Sequence, residues 1–182
     1  YVANVTNYYS GRLDVIVARD ENLARVGAGY VKASFEADPE RSFNRGYTDY
    51  FFKQRKPGMV NMDSPKSMGK KVAVVKQVKG NQMWVEPLEP LHNADGLCYF
   101  DGRELQGVKV NTAEGNRLTC NEKVNVKPGT LLYRNYDHEF VTRLAKGTSV
   151  RKIKVKIDVY AEDARLVLVA TDENGVSVSV RS

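Results

Sequence analysis

Apolar residues recur along the start of the chain at steps of three and four positions, with one wider gap before the last, at Val2, Val5, Tyr9, Leu13, Ile16 and Leu23. This spacing predicts an amphipathic helix whose apolar side chains share one face. Gly27 and Gly29 are expected to end it, because glycine commonly follows the last residue of a helix. An amphipathic helix needs a surface to cover, so three outcomes stay open: the helix packs on the β-rich part of the chain, pairs with a second copy, or frays.

After Met59 the pattern changes to short apolar runs, which predict strands at 72–75, 83–85, 96–100, 105–111, 117–119, 123–126 and 131–134. Turn residues separate several of these runs, at Gly80-Asn81, Asp101-Gly102 and Pro128-Gly129. Many short strands with frequent turns are typical of a small closed barrel or a sandwich.

Apolar and polar residues alternate in the last part of the chain, from Lys152 to Val159 and again from Val176 to Val180. A further apolar run covers 166–170, and Asp172-Glu173-Asn174-Gly175 has the composition of a hairpin turn. These patterns predict a three-stranded β meander. The lysines at 152, 154 and 156 either protect a sheet edge or add to a basic surface.

The predicted fold class is therefore mostly β with an N-terminal helical segment. Three regions follow: a helical linker at 1–57, a small β-barrel at 58–145, and a β meander at 146–182 that is expected to be a truncated further domain. The chain has 182 residues, of which 42% are hydrophobic, enough for one sizeable core or two small ones. Apolar runs fall short of the roughly 20 residues of a membrane helix, so we expect no membrane partner. The two cysteines fit a cytoplasmic location better than an oxidising one.

Charge and cysteine content exclude few classes of function. The net charge is +6, from 28 basic and 22 acidic residues, which fits a phosphate-backbone partner and equally an ordinary solvated surface. Cys98 and Cys120 do not form a CxxC pair, and two thiols alone cannot complete a four-ligand zinc or iron–sulfur site. We therefore expect no cofactor in this region. Cys98 lies between Leu97 and Tyr99 in a predicted strand, so we expect a buried, reduced thiol there; a disulfide is the alternative.

The segment 42–51 combines aromatic rings, an amide, a guanidinium and a carboxylate around Gly46. This mixture is typical of a surface that grips a ligand, so four of its residues are predicted to bind substrate: Asn44, Arg45, Tyr47 and Asp49. The planar fork of Arg45 suits a carboxylate or a phosphate. In the alternative interpretation, Arg45 and Asp49 only hold this connecting segment in place, and the aromatic rings pack underneath it.

The same segment has helical spacing. Phe43, Tyr47 and Tyr50 lie three or four positions apart, and Ser42 is a residue type that caps a first helical turn. We expect one or two turns of helix, kept short by Gly46, inside a structured connection.

Basic residues follow this segment, at Lys53, Arg55, Lys56, Lys66, Lys70 and Lys71. Together with Tyr47, Tyr50, Phe51 and Phe52 as stacking platforms they would form a footprint for RNA. Lys70 and Lys71 are accordingly predicted to bind substrate. A solubilising surface is the alternative, since the sequence has no RNA-recognition, KH or zinc-knuckle motif.

A polar loop at 90–96 precedes a predicted strand and supplies two further candidate substrate-binding residues, His92 and Asp95. The imidazole would act as a base and the carboxylate would orient it. A pair of Cys98 with His92 is an alternative nucleophile, but the apolar neighbours of Cys98 blunt its reactivity. Because asparagine and aspartate are also ordinary turn residues, a turn is the favoured interpretation.

His138 lies between two acidic residues, Asp137 and Glu139, and these three residue types can bind a metal ion. One histidine with two adjacent acids is a weak motif, because neighbouring side chains on a strand point to opposite faces. We expect a solvated strand end here.

The run Ser42-Phe43-Asn44-Arg45-Gly46-Tyr47-Thr48-Asp49-Tyr50-Phe51 closely resembles the signature of the collagenase-like peptidase family U-thirty-two, which is named for its unknown catalytic type. Further matching blocks keep their order over most of the chain, at 63–66, 69–70, 90–100, 105–107 and 127–135. Within this family the chain is most similar to the RlhA branch, which is associated with hydroxylation of a cytidine in large-subunit ribosomal RNA.

The resemblance implies a large α/β barrel ahead of the signature that carries the family's cysteine cluster. The chain begins at Tyr1 rather than Met and is expected to be the C-terminal region that follows this barrel. No position here matches the cysteine cluster, so no catalytic residue is predicted. The order of strands also resembles the second domain of elongation-factor-type translation GTPases, with Gly69-Lys70 leading one strand and 127–134 closing the barrel.

The function predicted on this basis is an accessory substrate-binding region that positions RNA for a ribosomal RNA hydroxylation protein. Its partners would be the α/β barrel of the same protein and ribosomal RNA. Two alternatives stay open: a peptidase region that acts in proteolysis on a protein substrate, as the hydrolase name of the family implies, and a purely structural interaction domain. The region alone is not expected to be catalytic.

Overall fold

The computed structural model describes residues 1–55, 59–60, 62, 64–147 and 149–182. In this part of the chain the helical elements are α1 (Val2–Val17), a 3-10 turn (Pro39–Arg41) and α2 (His138–Lys146). The strands are β1 (Tyr30–Ala33), β2 (Lys70–Lys79), β3 (Gln82–Pro87), β4 (Gly96–Asp101), β5 (Glu104–Glu114), β6 (Arg117–Cys120), β7 (Leu131–Tyr136), β8 (Ser149–Lys152), β9 (Val155–Glu162), β10 (Arg165–Asp172) and β11 (Ser177–Arg181). The chain divides into two compact units, one formed by 1–5 and 37–146 and the other by 6–36 and 147–182.

The first unit is built around a closed barrel with the strand order β2-β3-β6-β5-β4-β7. The barrel closes where β7 pairs antiparallel with β2, which puts Lys70 opposite Arg134. Bulges interrupt several ladders, among them those between β2 and β3 and between β5 and β6. Such irregularities bend strands and let a sheet curl onto itself. The predicted small barrel is confirmed.

The expectation of a strand at 123–126 is wrong, because residues 121–130 connect β6 to β7 as a loop. Within that loop the backbone N–H of Val124 donates to the carbonyl oxygen of Gly80 at 3.0 Å. Val124 is buried against the barrel core. The apolar character of this run therefore reflects burial of a loop residue and not strand pairing.

The core of the barrel consists of apolar side chains that are at most 2% exposed, including Val72, Val75, Met83, Val85, Leu97, Val110, Leu118 and Leu132. They sit on strands whose successive side chains point alternately to the two faces of the sheet. Burial of one such side chain contributes about 1.5–3 kcal/mol. This packed interior is the rigid base on which the polar segments at the barrel surface are held.

The second unit contains two smaller antiparallel sheets. One pairs β1 with β8, with Tyr30 opposite Lys152, and the other is a meander with β10 between β9 and β11. The predicted meander and its hairpin turn are confirmed, and in the turn Asp172 Oδ1 accepts the backbone N–H groups of Asn174 and Val176 at 2.9 and 2.8 Å. The alternating run at 152–159 is split between two strands, which the alternation alone did not indicate.

One face of the meander is apolar and open to solvent. The pairing register places Val159, Leu168 and Val180 side by side, and Ile157 with Val178 extends the same face. These side chains are 40–66% exposed. The alternation in the sequence therefore correctly predicts which residues share the apolar face, although this face does not form a core within this unit.

Helix α1 is confirmed, but it ends at Val17 and not near Gly27. Its predicted apolar face is exposed, at Val2, Tyr9, Leu13 and Ile16. The buried residue of the helix is Asn4, whose amide donates to the carbonyl oxygen of Asp38 and to Ser42 Oγ, both at 2.7 Å. Among the described residues, no helix has the length and apolarity needed to cross a membrane.

We expect Leu132→Ala to lower the free energy of unfolding of the barrel unit by about 2–5 kcal/mol, because a fully buried side chain is replaced by a cavity. Leu88→Ala is the matched control, since Leu88 is 58% exposed in the same unit. Its truncation should cost no more than about 0.5 kcal/mol. Urea unfolding followed by the fluorescence of Trp84 measures both variants, and equal losses would contradict the assigned core.

Candidate functional site

Residues 42–55, here called the aromatic segment, form turns and bends and no helix. The prediction of helical turns at 43–51 is therefore wrong. Gly46 has φ +100° and Tyr50 has φ 47°, values that take the backbone out of the right-handed helical region. The helical turn lies just ahead instead, at Pro39–Arg41, where the Asp38 carboxylate caps it and Ser42 is the residue that ends it.

Asn44 holds the aromatic segment in place. It is only 8% exposed, and its side-chain amide donates to the carbonyl oxygens of Glu40 and Ser42 at 3.0 and 3.1 Å. Its own carbonyl oxygen accepts the N–H of Met68 at 3.0 Å and the hydroxyl of Ser67 at 3.2 Å. These contacts give Asn44 a structural role between the segment and the start of β2.

The aromatic rings of this segment face solvent. Phe43, Tyr47 and Phe52 are 57, 62 and 91% exposed, so these rings are not packed underneath the connection as the structural alternative required. Two guanidinium groups lie over ring faces: Arg45 is 5.5 Å from the ring centre of Phe43, and Arg55 is 5.6 Å from that of Phe51. The segment thus presents flat apolar surfaces next to positive charge.

A surface depression of about 460 Å³ lies beside the aromatic segment, and it brings together four of the predicted site residues, Asn44, Tyr47, Lys70 and Lys71. Gly69 and Tyr133 also line it. Arg45 and Asp49 do not line this depression, and His92 and Asp95 lie elsewhere in the barrel unit. Lys56 of the predicted basic footprint and Asp63 of a matching motif block lie outside the described residues.

Gly69 permits the close approach that places Lys70. Its φ is +71°, and a Cβ atom at this position would stand 1.9 Å from the carbonyl oxygen of Arg134. Any larger residue would push the start of β2 away from β7. A glycine at this position is therefore a packing requirement of barrel closure.

The two lysines predicted as a pair have different environments. Lys70 Nζ lies 2.8 Å from Asp38 Oδ2 and 2.5 Å from Glu89 Oε1. Desolvation lowers the pKa of Lys70, but the hydrogen bonds and attraction of these two carboxylates outweigh it, so its pKa is raised. Lys70 is a charged structural residue, whereas Lys71 is exposed and available to a ligand.

Arg134 is the centre of a buried ion cluster that the sequence interpretation missed. Its side chain is 1% exposed, and its guanidinium donates to the carbonyl oxygen of Pro90 at 2.9 Å. It also contacts the carboxylates of Glu89, Asp95 and Asp137 at 3.0, 3.3 and 3.1 Å. Strand periodicity could have predicted this burial, because Arg134 lies two positions after the buried Leu132 on β7 and so points to the same face.

Arg41 and Lys70 extend this cluster towards the aromatic segment. The Arg41 guanidinium lies 3.6 Å from Asp137, 3.7 Å from Asp38 and 3.8 Å from Glu89, and it stacks over Phe140 at 5.5 Å. The Arg134 cluster is thus defined as Asp38, Arg41, Lys70, Glu89, Asp95, Arg134 and Asp137. It joins the entry of the aromatic segment to β2, to the loop before β4 and to the start of α2.

Asp95 orients backbone groups and not the imidazole of His92. It is completely buried, and its carboxylate accepts the N–H groups of His92 at 3.0 Å and His138 at 3.1 Å. The imidazole Nε2 lies 2.9 Å from Glu139. The hypothesis that Asp95 orients the ring is therefore wrong, and the prediction that this loop is structural has the better geometric support.

His92, Asp95 and Asp137 have potential ligand atoms within 4.8 Å of one another. Both carboxylates are already bound by the guanidinium of Arg134. The two carboxylates of this group therefore already have a cationic partner. We therefore assign this group to the Arg134 cluster.

Strand β7 ends at Tyr136 and helix α2 begins at His138, so the prediction of a solvated strand end at 137–139 is wrong. Asp137 caps α2, with Oδ1 accepting the N–H of Phe140 at 2.9 Å. Asp137 is 3% exposed and faces the cluster, while His138 is exposed. The cap explains why a carboxylate precedes the apolar residues of this helix.

Both cysteines are buried and unpaired with each other, which for Cys98 confirms the prediction. Cys98 lies 3.4 Å from the carbonyl oxygen of Met68, to which its thiol donates. Burial raises the pKa of Cys98 and of Cys120 to about 11. Neutral thiols of this kind are poor nucleophiles, which argues against a cysteine–histidine catalytic pair.

Comparison with known proteins supports the family resemblance. The chain is 36% identical over 188 aligned positions to the 23S rRNA 5-hydroxycytidine C2501 synthase of Escherichia coli strain K12, and the match covers 98% of this chain and 29% of that protein. The similarity to the RlhA-like branch of the collagenase-like peptidase family U-thirty-two, which the motifs indicated, is confirmed. No family model matches the chain, and no solved structure matches it significantly.

Removal of the central guanidinium tests the Arg134 cluster. We expect Arg134→Met to lower the free energy of unfolding by about 3–5 kcal/mol, because Asp95 is left buried without a cation and Asp137 keeps only its 3.6 Å contact with Arg41. Arg134→Lys should lose nearly as much, since an ammonium cannot reproduce a planar fork with several acceptors. Arg117→Ala, which removes an exposed pair with Glu114, should cost about 1 kcal/mol or less. Urea unfolding compares the three, and an Arg134→Met variant as stable as the parent chain would overturn the assignment.

Thiol titration tests the burial of the cysteines. We expect the folded chain not to react with Ellman's reagent at pH 8, and both thiols to react in urea. The reason is that thiols with a pKa of about 11 are almost entirely protonated at pH 8, so Cys98 and Cys120 carry little reactive thiolate. A Cys98→Ser variant should lose one of the two thiols released in urea. Rapid reaction of the native chain would contradict the buried placement.

Proposed function

We propose that this chain is an accessory region that holds RNA for a protein that hydroxylates ribosomal RNA. The relative that it matches is named a synthase of 5-hydroxycytidine in 23S ribosomal RNA. The chain spans 29% of that protein, so the activity of the whole and the reacting nucleotide are part of the proposal. The observation that carries the proposal is the exposed row of aromatic rings beside cations on the barrel unit.

Physical chemistry supports RNA as the ligand of this surface. Unpaired bases stack on exposed aromatic rings and on guanidinium planes, and the aromatic segment presents both. Lys53, Arg55, Lys66 and Lys71 are exposed in the same unit, where their charges would meet phosphates. A stacking surface tolerates any base, which suits a region that positions RNA and leaves the choice of nucleotide to another part of the protein.

The Arg134 cluster supplies the rigidity that this role needs. Asp38 and Arg41 precede the aromatic segment directly, and both are bound into the cluster. Asn44 and Met68 then fix the segment to the barrel. The rings are thus presented from an ordered base, which lowers the entropy lost on binding.

The other predictions have less support. The name of the relative describes a nucleotide synthase, and it gives no support to a peptidase, protease or hydrolase role. Five further predictions remain part of the proposal. They are the similarity to the second domain of elongation-factor-type GTPases, the domain boundaries at 57 and 145, the α/β barrel as partner, the absence of a cofactor and the cytoplasmic location. A purely structural role is the outcome to expect if the chain does not bind RNA.

RNA binding by the chain tests the proposal. Fluorescence anisotropy with a single-stranded RNA should show binding that weakens as salt rises. Tyr47→Ala should weaken it by about 1–3 kcal/mol through lost stacking, and Lys71→Glu should weaken it and reduce the salt dependence. Lys109→Glu, a reversal at an exposed lysine on β5, is the matched control.

Lys70→Glu separates the fold from binding. It places a third carboxylate beside Asp38 and Glu89, so we expect this variant to have a lower free energy of unfolding. Its RNA affinity therefore does not report on the binding surface. RNA affinity that is equal in the parent chain, Tyr47→Ala and Lys71→Glu would contradict the proposal. So would binding no tighter than that of a neutral control domain.

A further inference from the structure

A second groove lies on the barrel unit, between the loop before β4 and helix α2. Its volume is about 540 Å³, and its lining includes Leu91, His92, Ala113, His138, Arg143 and Lys146. The chain has two histidines, and both line this groove. None of its residues belongs to the aromatic segment.

The groove combines an apolar floor with a basic rim. Leu91 and Ala113 are half-buried and provide the floor, whereas Arg143 and Lys146 are exposed on the last turns of α2. The ring of His138 is also exposed and lies 6.2 Å from the ring of Tyr136. An apolar floor, flat rings and nearby cations are the groups that contact a base and its phosphate in single-stranded RNA.

The single carboxylate of the groove is already engaged. Glu139 lies 2.9 Å from His92 Nε2 and is also paired with Arg143. These contacts hold the imidazole of His92 against α2 and offset the negative charge of Glu139. Arg143 and Lys146 together outnumber this carboxylate, so the rim keeps a net positive charge and a phosphate would not face an unpaired carboxylate.

The Arg134 cluster sets the geometry of the groove from beneath. Asp95 binds the backbone N–H groups of both His92 and His138, so a buried carboxylate fixes the two histidines relative to each other. Asp137 caps the helix that carries Arg143 and Lys146. Two walls that come from distant parts of the sequence are thus held in one arrangement.

We infer that the α2 groove binds one unpaired nucleotide of RNA, with its base on the floor and against His138 and its phosphate at Arg143 and Lys146. This inference rests on the proposed function, because it names a second contact for the same ligand. The groove and the aromatic segment are separate surfaces of one unit. RNA is thereby held at two places along its strand.

Binding measurements with a single-stranded RNA test the groove. Arg143→Ala and Lys146→Ala should each weaken binding about fivefold, and each should reduce the slope of log affinity against log salt by roughly 0.7. His138→Ala should weaken binding to a similar extent, while His138→Phe should retain it, because a phenyl ring preserves stacking. Arg103→Ala, at an exposed arginine in the β4–β5 turn, is the matched control and should bind like the parent chain. Circular dichroism checks that every variant is folded.

Photocrosslinking locates the contact and separates the two proposals. RNA that carries 4-thiouridine should crosslink to peptides from 138–146 as well as to peptides from the aromatic segment, and Lys146→Ala should reduce the former. If RNA binds with full affinity to the groove variants and crosslinks only to the aromatic segment, the groove inference is wrong and the proposed function stands. If the parent chain does not bind RNA, both are wrong.

Discussion

The buried guanidinium of Arg134 is the interaction on which the arrangement of this barrel unit depends. It is held by one carbonyl oxygen and three carboxylates, and those partners come from the loop before β4 and from the start of α2. Arg41 and Lys70 join the same carboxylates from the entry of the aromatic segment and from β2. Parts of the chain that are far apart in sequence are therefore fixed by a single set of ion pairs.

A buried cluster of this kind selects one arrangement of the chain, and its net contribution to stability is smaller than its number of ion pairs suggests. Removing charges from water costs several kcal/mol for each ion, and mutual attraction only offsets that cost when the geometry is good. A different arrangement of these loops would leave Asp95 or Arg134 buried without a partner. The cluster thus excludes alternatives, and this explains how two polar surfaces can be held in place on a small barrel.

Much of the fold follows from local patterns, and the failures have identifiable causes. Alternating apolar residues and turn residues were enough for the barrel strands and the meander. The strands β1 and β8 are four residues long and pair across more than a hundred positions, which no local pattern reveals. The helix α2 was missed because its cap, Asp137, resembles part of a charged strand end, and because only one of its residues, Phe140, is buried.

The candidate site was predicted in part. The composition of the aromatic segment indicated a binding surface, and the exposure of its rings agrees with that interpretation. Pairs of like residues were misleading, since Lys70 is bound by Asp38 and Glu89 whereas Lys71 is exposed. Asn44 and Asp95 make hydrogen bonds that hold loops in place. Burial decides these roles, and burial of a polar residue depends on partners that are distant in sequence.

Amide hydrogen exchange with and without single-stranded RNA is the most direct test of the central claim, that a barrel fixed by the Arg134 cluster holds RNA on two surfaces. The account predicts slower exchange on RNA binding in the aromatic segment and in 138–146, with little change in the meander at 155–181. Protection confined to the meander, or no protection at either barrel surface, would contradict it.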